Sequence, residues 1–253
     1  NSRFNAGTFT HLVSGNWTKF LSANFDPQSS TIVFDGTSTQ TITASNFNNI
    51  RFINSGVKSA FGSLSISGNV DIQSNFNGGS YTHTINGDWN ENGTFTSSSG
   101  KLVFSSPGTS SLIGHPTFNI IQIDSGKILS IQNGSSLTIK DSLIELGYVT
   151  GSVYKTENIA LVEHPYTFGG IGAIIQVTDE ESFFGNVTIR RISGEVPPSF
   201  NASHAMKRWY TVYPTGKFST ATMKFFFDKN RERNGQSDSD LKLWQSSNNG
   251  ISW

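Results

Sequence analysis

The chain has 253 residues, and its 18 basic and 18 acidic side chains give a formal net charge of zero. A nucleic-acid-binding surface normally needs an excess of positive charge to displace counterions from phosphates, so the composition argues against that class of function. The chain contains no cysteine, which excludes disulfides, thiolate catalysis and Cys-ligated metal centres, and no apolar run approaches the roughly 18 residues that a membrane-spanning helix needs.

An internal repeat organises the first half of the chain. Phe4–His11 recurs as Phe76–His83, and Val13–Trp17 recurs in the same register as Ile85–Trp89. Three further pairs of segments recur at nearly the same offset: Thr31–Phe34 with Lys101–Phe104, Phe52–Gly56 with Gln122–Gly126, and Ser63–Ile66 with Ser136–Ile139. Offsets that change slightly, and only between strand motifs, indicate loops of different length in two copies of one unit of about 72 residues.

Each copy contains short stretches in which apolar and polar residues alternate, separated by clusters of Gly, Asn, Ser and Asp. Stretches of about 4–6 residues between such turn residues predict β-strands. In the first copy they are Thr31–Phe34, Gln40–Thr43, Ile50–Ile53, Ser63–Ile66 and Val70–Ile72. Their starts lie roughly 8–12 residues apart, a spacing that is typical of a solenoid, a barrel or a sandwich.

We therefore predict an all-β fold in which residues 1–147 form a parallel β-solenoid (β-helix-like), with about three coils of three short strands in each copy. Stacked coils place like residues over like, so Trp17 and Trp89 should occupy equivalent, largely buried positions along one line of the core. The alternative is a tandem of two antiparallel sandwiches of about 70 residues each.

The pattern changes near Gly147, after which the predicted strands are longer and carry more charge. These strands are Tyr148–Thr156, Ala173–Thr178, Val187–Ser193, Arg208–Tyr213, Ala221–Asp228 and Leu241–Gln245. Long loops separate some of them, at Pro197-Pro198 and over Asp228–Asp240. We predict that residues 148–253 form an antiparallel β-sandwich of immunoglobulin-like size.

Several of these phrases resemble a known class of protein. Gly15-Asn16-Trp17-Thr18, Gly93-Thr94-Phe95-Thr96 and Val33–Ile42 resemble the GNWT, GTFT and VVFNGTGTQTI repeats of large secreted surface proteins of Bacteroidota. The second half is similar to the module that follows those repeats, and the matching pieces are Val149–Val153, Tyr166–Gly170, Arg208–Tyr210, Ala221–Phe225 and Leu241–Trp244.

The resemblance implies β-solenoid repeats followed by a β-sandwich module, a cell-surface location and export by type IX secretion. Its motifs are structural, so it brings no catalytic residues. Asn248–Trp253 resembles a segment that normally continues into further strands, which implies a module that is incomplete at its C-terminus. Asn1 is not an initiator Met, and we expect the chain to be a portion of a longer precursor.

The sequence offers no catalytic constellation. His11 and His83 occupy the same repeat position, which favours a structural role, and His115, His164 and His204 have no second ligand at metal-binding spacing. A polysaccharide-degrading solenoid would need two carboxylates about 5–10 Å apart. Asp88 and Glu91 are the closest pair in the solenoid half, but Asn16 replaces Asp88 in the other copy, which favours a turn.

A loop near the C-terminus is the one candidate metal site. Asp228, Asn230, Glu232 and Asn234 alternate along it before Gly235, as oxygen ligands do in calcium loops. Three cations interleave with them, Lys229, Arg231 and Arg233, and favour a solvated loop instead. No other cofactor is predicted.

Charged residues make up 14% of the chain, compared with about 25% in typical soluble domains, so its polarity comes from Ser, Thr, Asn and Gly. With the repeat, this predicts a non-enzymatic extracellular structural protein: a stalk, an adhesin segment or a filament subunit that extends and associates with itself, head to tail or through its strands. A carbohydrate-binding module that contacts a surface glycan is the alternative. A polysaccharide-degrading enzyme is less favoured.

Overall fold

The computed structural model describes residues 3–20, 22–179, 185–200, 203, 205–216, 220–243 and 245–247. The chain divides into two compact units, Asn1–Val149 and Thr150–Trp253. The described residues contain no helix that is long and apolar enough to cross a membrane.

Short strands make up most of the first unit. They are β1 Arg3–Asn5, β2 Thr10–Val13, β3 Asn24–Asp26, β4 Thr31–Phe34, β5 Gln40–Phe47, β6 Asn49–Phe52, β7 Lys58–Ile66, β8 Val70–Ile72, β9 Asn75–Gly79, β10 Thr82–Ile85, β11 Trp89–Glu91, β12 Thr94–Ser97, β13 Lys101–Phe104, β14 Gly108–Ile113, β15 Thr117–Ile123, β16 Lys127–Ile131 and β17 Leu137–Glu145. Their alternating burial, as in β7 and β16, confirms the period-2 pattern of the sequence.

These strands pair in parallel and wind into a β-solenoid of about eight turns, which confirms the solenoid and excludes the tandem of antiparallel sandwiches. Three ladders run along it. Ladder 1 consists of β2, β4, β6, β8, β11, β14 and β16. Ladder 2 passes through the N-terminal halves of β5 and β7 to β9 and β12. Ladder 3 passes through the C-terminal halves of β5 and β7 to β10, β13, β15 and β17.

The coils are shorter than the sequence suggested. The length of a coil is the number of residues between two positions that pair on successive strands of ladder 1. This number is smallest from Thr31 to Asn49 and largest from Trp89 to Leu112. Each coil does carry three strand segments, but one copy of the repeat spans between three and four coils rather than three. One copy of the repeat therefore does not span a whole number of solenoid turns.

The two copies nevertheless make the same contacts. In the first copy Phe4 pairs with Phe25 and Val13 with Phe34, and in the second Phe76 pairs with Phe95 and Ile85 with Phe104. Because the copy is a fractional number of turns, equivalent strands lie in different ladders: β2 is in ladder 1, and its equivalent β10 is in ladder 3.

The two tryptophans illustrate both points. Trp17 packs on Phe25 and Phe47, with ring centroids 4.8 and 5.4 Å away. Trp89 packs on the equivalent rings, Phe95 and Phe118, at 5.1 and 5.2 Å.

The surroundings of the two indoles are thus equivalent, as predicted, but two parts of the prediction are wrong. Trp17 bridges Ile42 in ladder 2 whereas Trp89 lies in ladder 1, so the two do not share one line of the core. Trp17 is also only partly buried, while Trp89 is 1% exposed.

Stacked aromatic rings contribute much of the solenoid core. Phe52 lies between Phe34 and Phe76, with centroid distances of 5.7 and 4.3 Å and nearly parallel rings. All three are buried. Offset ring pairs contribute about 0.5–1.5 kcal/mol each beyond the area that they bury, which explains how a chain without disulfides can hold short strands together.

The second unit is antiparallel. β18, Tyr148–Ile159, crosses the boundary between the units, and the later elements are a 3-10 turn at Phe168–Gly170, β19 Ala173–Val177, β20 Gly185–Ser193, β21 Arg208–Pro214 and β22 Ala221–Phe225. Pairing of β20 with both β18 and β21 makes one small sheet, and β19 and β22 make another.

The all-β prediction is therefore confirmed, whereas a two-layer sandwich stays a prediction for this unit. The last predicted strand is wrong where it is described, since Leu241–Leu243 and Gln245 lie outside any strand. Trp244 and Asn248–Trp253 lie outside the described residues.

Candidate functional site

The first coil leaves side chains uncovered that are core residues in the second copy. Phe4 is 45% exposed, whereas its equivalent Phe76 is 4% exposed. The same holds for three further pairs: His11, Val13 and Trp17 are partly exposed, while their equivalents are 1–3% exposed, namely His83, Ile85 and Trp89. We call the surface formed by Phe4, His11, Val13 and Trp17 the open face.

Backbone edges accompany these side chains. Within the described residues β1 pairs only with β3, and β2 only with β4. Their equivalents have strands on both sides, since β9 lies between β7 and β12, and β10 lies between β7 and β13. An unpaired strand edge is a ready template for another strand.

Further apolar side chains of the first coil are exposed. Phe9, Leu12 and Phe20 are 69%, 68% and 71% exposed. The rings of Phe4 and Phe9 both contact His11, at 5.2 and 6.5 Å between centroids. Clustered exposed apolar side chains on a folded protein usually mark an interaction site.

The open face has little charge. Its nearest ion pair joins Arg3 to Asp26 across β1 and β3 at 3.1 Å, and both side chains reach solvent. Exposed pairs of this kind contribute little stability. The site is therefore suited to an apolar partner that also offers backbone hydrogen bonds.

The histidines of the repeat have structural contacts. Nε2 of His11 donates to the carbonyl oxygen of Ala6 at 2.9 Å, and Nε2 of His83 donates to that of Gly78 at 2.8 Å. In His83 the second ring nitrogen, Nδ1, accepts the backbone N–H of Leu64 at 3.1 Å, which fixes the neutral tautomer. Burial lowers the pKa of His83, against the opposing effect of its bond to Gly78.

The remaining histidines make contacts of their own or lie outside the described residues. His115 lies on the surface, where Nδ1 contacts the hydroxyl of Ser136 at 3.0 Å. His164 is exposed and packs edge-on against Tyr166 at 4.8 Å. His204 lies outside the described residues.

Asp88 and Glu91 are both engaged in local hydrogen bonds. Oδ1 of Asp88 accepts the backbone N–H of Ser111 at 2.7 Å, and Asn16 accepts that of Thr41 at 2.9 Å in the equivalent turn. This bond needs only an acceptor oxygen, which explains why Asn and Asp interchange between the copies.

Glu91 is held from two sides. Its carboxylate accepts the indole N–H of Trp89 at 3.1 Å and the backbone N–H of Phe95 at 3.3 Å. Burial raises the pKa of Glu91, while these two hydrogen bonds and His115 oppose the rise.

The candidate calcium loop is organised around a buried ion pair. Nε of Arg208 lies 2.8 Å from the carboxylate of Glu232, which is fully buried. Asp228 accepts the backbone N–H of Asn230 at 2.8 Å, and Asn234 donates to the carbonyl oxygen of Ala205 at 2.9 Å.

The side chains of Asp228, Glu232 and Asn234 are thus engaged by other groups of the chain. Among the described residues, no group of three or more His, Asp or Glu side chains is arranged to hold a metal ion. Calcium binding by Asp228, Asn230, Glu232 and Asn234 stays a prediction.

Sequence reasoning singled out the repeat but not the open face. The sequence carried no signal for it, because the four residues of the open face have the same places in the repeat motif as their buried equivalents in the second copy. Comparison of the chain with protein-family models, with curated proteins and with solved structures finds no match.

Proposed function

We propose that the chain is a non-enzymatic structural element of a bacterial cell surface, such as a stalk, an adhesin segment or a filament subunit, which extends and associates with other chains. Exposed apolar side chains are the observation that supports association most directly. Phe9, Leu12 and Phe20 are 69%, 68% and 71% exposed, and exposed apolar side chains of this size favour contact with another molecule.

The polar groups of the solenoid support a structural rather than a catalytic function. Asp88, Glu91 and His83 all hold turns or backbone groups of neighbouring coils. Export by type IX secretion, an extracellular location and a β-sandwich in the second unit belong to the same proposal and rest on the sequence resemblance.

A surface glycan is the second candidate partner. Phe9, Phe20 and Phe61 are each at least 61% exposed, and flat aromatic faces suit stacking on rings. Glycan binding would deplete the free protein in a pull-down on insoluble polysaccharide, and alanine at Phe61 would weaken it.

An activity assay tests the non-enzymatic proposal. We expect the full chain to release no more product from a panel of common polysaccharides than a blank without protein. Asp88→Asn and Glu91→Gln are the variants to compare with it. Turnover by the wild-type chain that either variant abolishes would contradict the proposal.

A further inference from the structure

The sheet formed by β18, β20 and β21 in the second unit has two unlike sides. On one side Val153 and Ile189 are fully buried, and Tyr210 stacks on a ring of β22 at 4.8 Å. The residues that alternate with these point to the other side, where Thr156 is exposed and Tyr213 is 46% exposed. We call the surface on this side the aromatic face, formed by Tyr154, Thr156, Thr188, Arg190, Trp209 and Tyr213.

Arg190 is held in a fixed position at the centre of the aromatic face. Its guanidinium carbon lies 5.6 Å from the ring centroid of Tyr154 on β18 and 5.8 Å from that of Trp209 on β21. Nε and Nη2 both donate to the hydroxyl oxygen of Ser152, at 3.2 and 2.8 Å. Two cation–π contacts and two hydrogen bonds on one edge orient the guanidinium, so the group is in place before a ligand binds.

The positive charge of Arg190 has no counter-charge on this face. None of the side chains that share this side of the three strands is acidic, since Glu157 lies on the other side and pairs with Lys155 at 3.0 Å. Arg190 forms no ion pair with any residue that the structure describes. Its Nη1 donates to no described residue and is not shielded from solvent. A free edge of a permanently charged group is therefore available to an anion.

Hydroxyl and amide groups continue the surface beyond Arg190. The hydroxyl oxygens of Thr156 and Thr188 lie 2.7 Å apart on neighbouring strands. Next to them, Nδ2 of Asn158 donates to Oδ1 of Asn186 at 2.9 Å. Hydroxyl and amide side chains can both donate and accept hydrogen bonds, which is what the hydroxyl groups of a sugar require. Rings, hydroxyls and one fixed cation thus lie on a single side of the sheet.

We infer that the aromatic face binds an acidic polysaccharide and recognises the carboxylate of a uronic acid unit. The carboxylate accepts two hydrogen bonds from the free edge of Arg190, Nη1 and Nη2, in the bidentate geometry that guanidinium groups favour. The rings of Tyr154 and Trp209 on either side suit a planar carboxylate better than a tetrahedral sulfate, and they offer apolar faces to the sugar ring. This binding site goes beyond the structural function proposed above, and it lies in the other unit from Phe61.

Polygalacturonate oligomers and their fully methyl-esterified form are a matched pair of probes. They share one backbone and differ in whether the carboxyl groups are charged. Binding of the full chain to each is measured by isothermal titration calorimetry. We expect the charged oligomer to bind at least about tenfold more tightly, because charge-assisted hydrogen bonds of the carboxylate are lost in the ester.

Two variants make the result specific to Arg190. Arg190→Gln removes the charge and the free edge but keeps an amide, and it should weaken binding of the charged oligomer to the level of the ester. Lys224→Gln removes one positive charge from an exposed position of β22 in the same unit, and it should bind like the wild type. If Arg190→Gln does not fold, the comparison of the two oligomers with the wild-type chain decides the question.

Four outcomes would overturn the inference. The first is no binding of polygalacturonate, and the second is equal binding of the charged and esterified oligomers. The third is an equal loss in Arg190→Gln and Lys224→Gln, since binding would then reflect general charge. The fourth is tighter binding of dextran sulfate that depends on Arg190, which would make the ligand group a sulfate. All four leave the structural function intact, whereas polysaccharide turnover would overturn that function.

Discussion

At the scale of single residues, buried polar groups hold the corners of the solenoid. The ammonium of Lys58 is fully buried and donates to the carbonyl oxygens of Gly36 and Gly56 at 3.0 and 2.7 Å, and also to that of Ile53. Such a lysine could not be identified from the sequence, because a charged side chain in a strand ordinarily indicates a position that faces solvent. The repeated His11 and His83 could be recognised as structural, because a catalytic group needs no copy.

His83 makes stability depend on pH. Burial lowers the pKa of His83 in the folded state, and the unfolded value is about 6.5. Below that pH the unfolded chain binds a proton that the folded chain does not, so the free energy of unfolding should fall as the pH decreases from about 7 to about 5. Protonation of Nδ1 of His83 would also place an N–H where the ring now accepts the backbone N–H of Leu64, and that hydrogen bond would be lost.

Urea unfolding at a series of pH values checks this prediction. His83→Gln should reduce the loss of stability on acidification, because the titrating group is gone. Thr82→Gln, at the exposed neighbouring position of β10, should retain the wild-type dependence. A His83→Gln profile parallel to that of the wild type would contradict the assignment.

At the scale of elements, the sequence was informative about strands and less so about turns. Thr31–Phe34 was located to the residue because a short run of β-branched and aromatic residues is bounded by turn residues. The length of a coil could not be obtained in this way, since Gly62 makes a corner within β7 by close approach to Ala44. The number of solenoid turns in one copy also could not be predicted from the length of the repeat.

Equivalent residues of the two copies should differ in their contribution to stability. Trp89→Ala removes a fully buried indole from between Phe95 and Phe118, and should reduce the free energy of unfolding by about 3–5 kcal/mol. Trp17→Ala, in the partly exposed equivalent, should cost less than half as much. Urea unfolding of the two variants beside the wild type tests this, and equal losses would contradict the difference in cover.

At the scale of the whole molecule, the account depends on one asymmetry between two otherwise equivalent copies. The residues that make the repeat also make its contacts, so the sequence was sufficient to predict a solenoid. It was insufficient to predict the open face, because Phe4 and Phe76 occupy the same motif and differ only in what lies above them. Cover is a property of the assembled coils, and no local pattern encodes it.

Hydrogen–deuterium exchange of the free wild-type chain, compared between β2 and β10, tests this asymmetry most directly. The two strands have the same place in the repeat, but β10 pairs on both sides and β2 pairs with β4 alone among the described strands. The account predicts that the amides of Thr10 and Leu12 exchange much faster than those of Thr82 and Thr84. Equal protection of the two strands would mean that the first coil is already covered, and would contradict the existence of an open face.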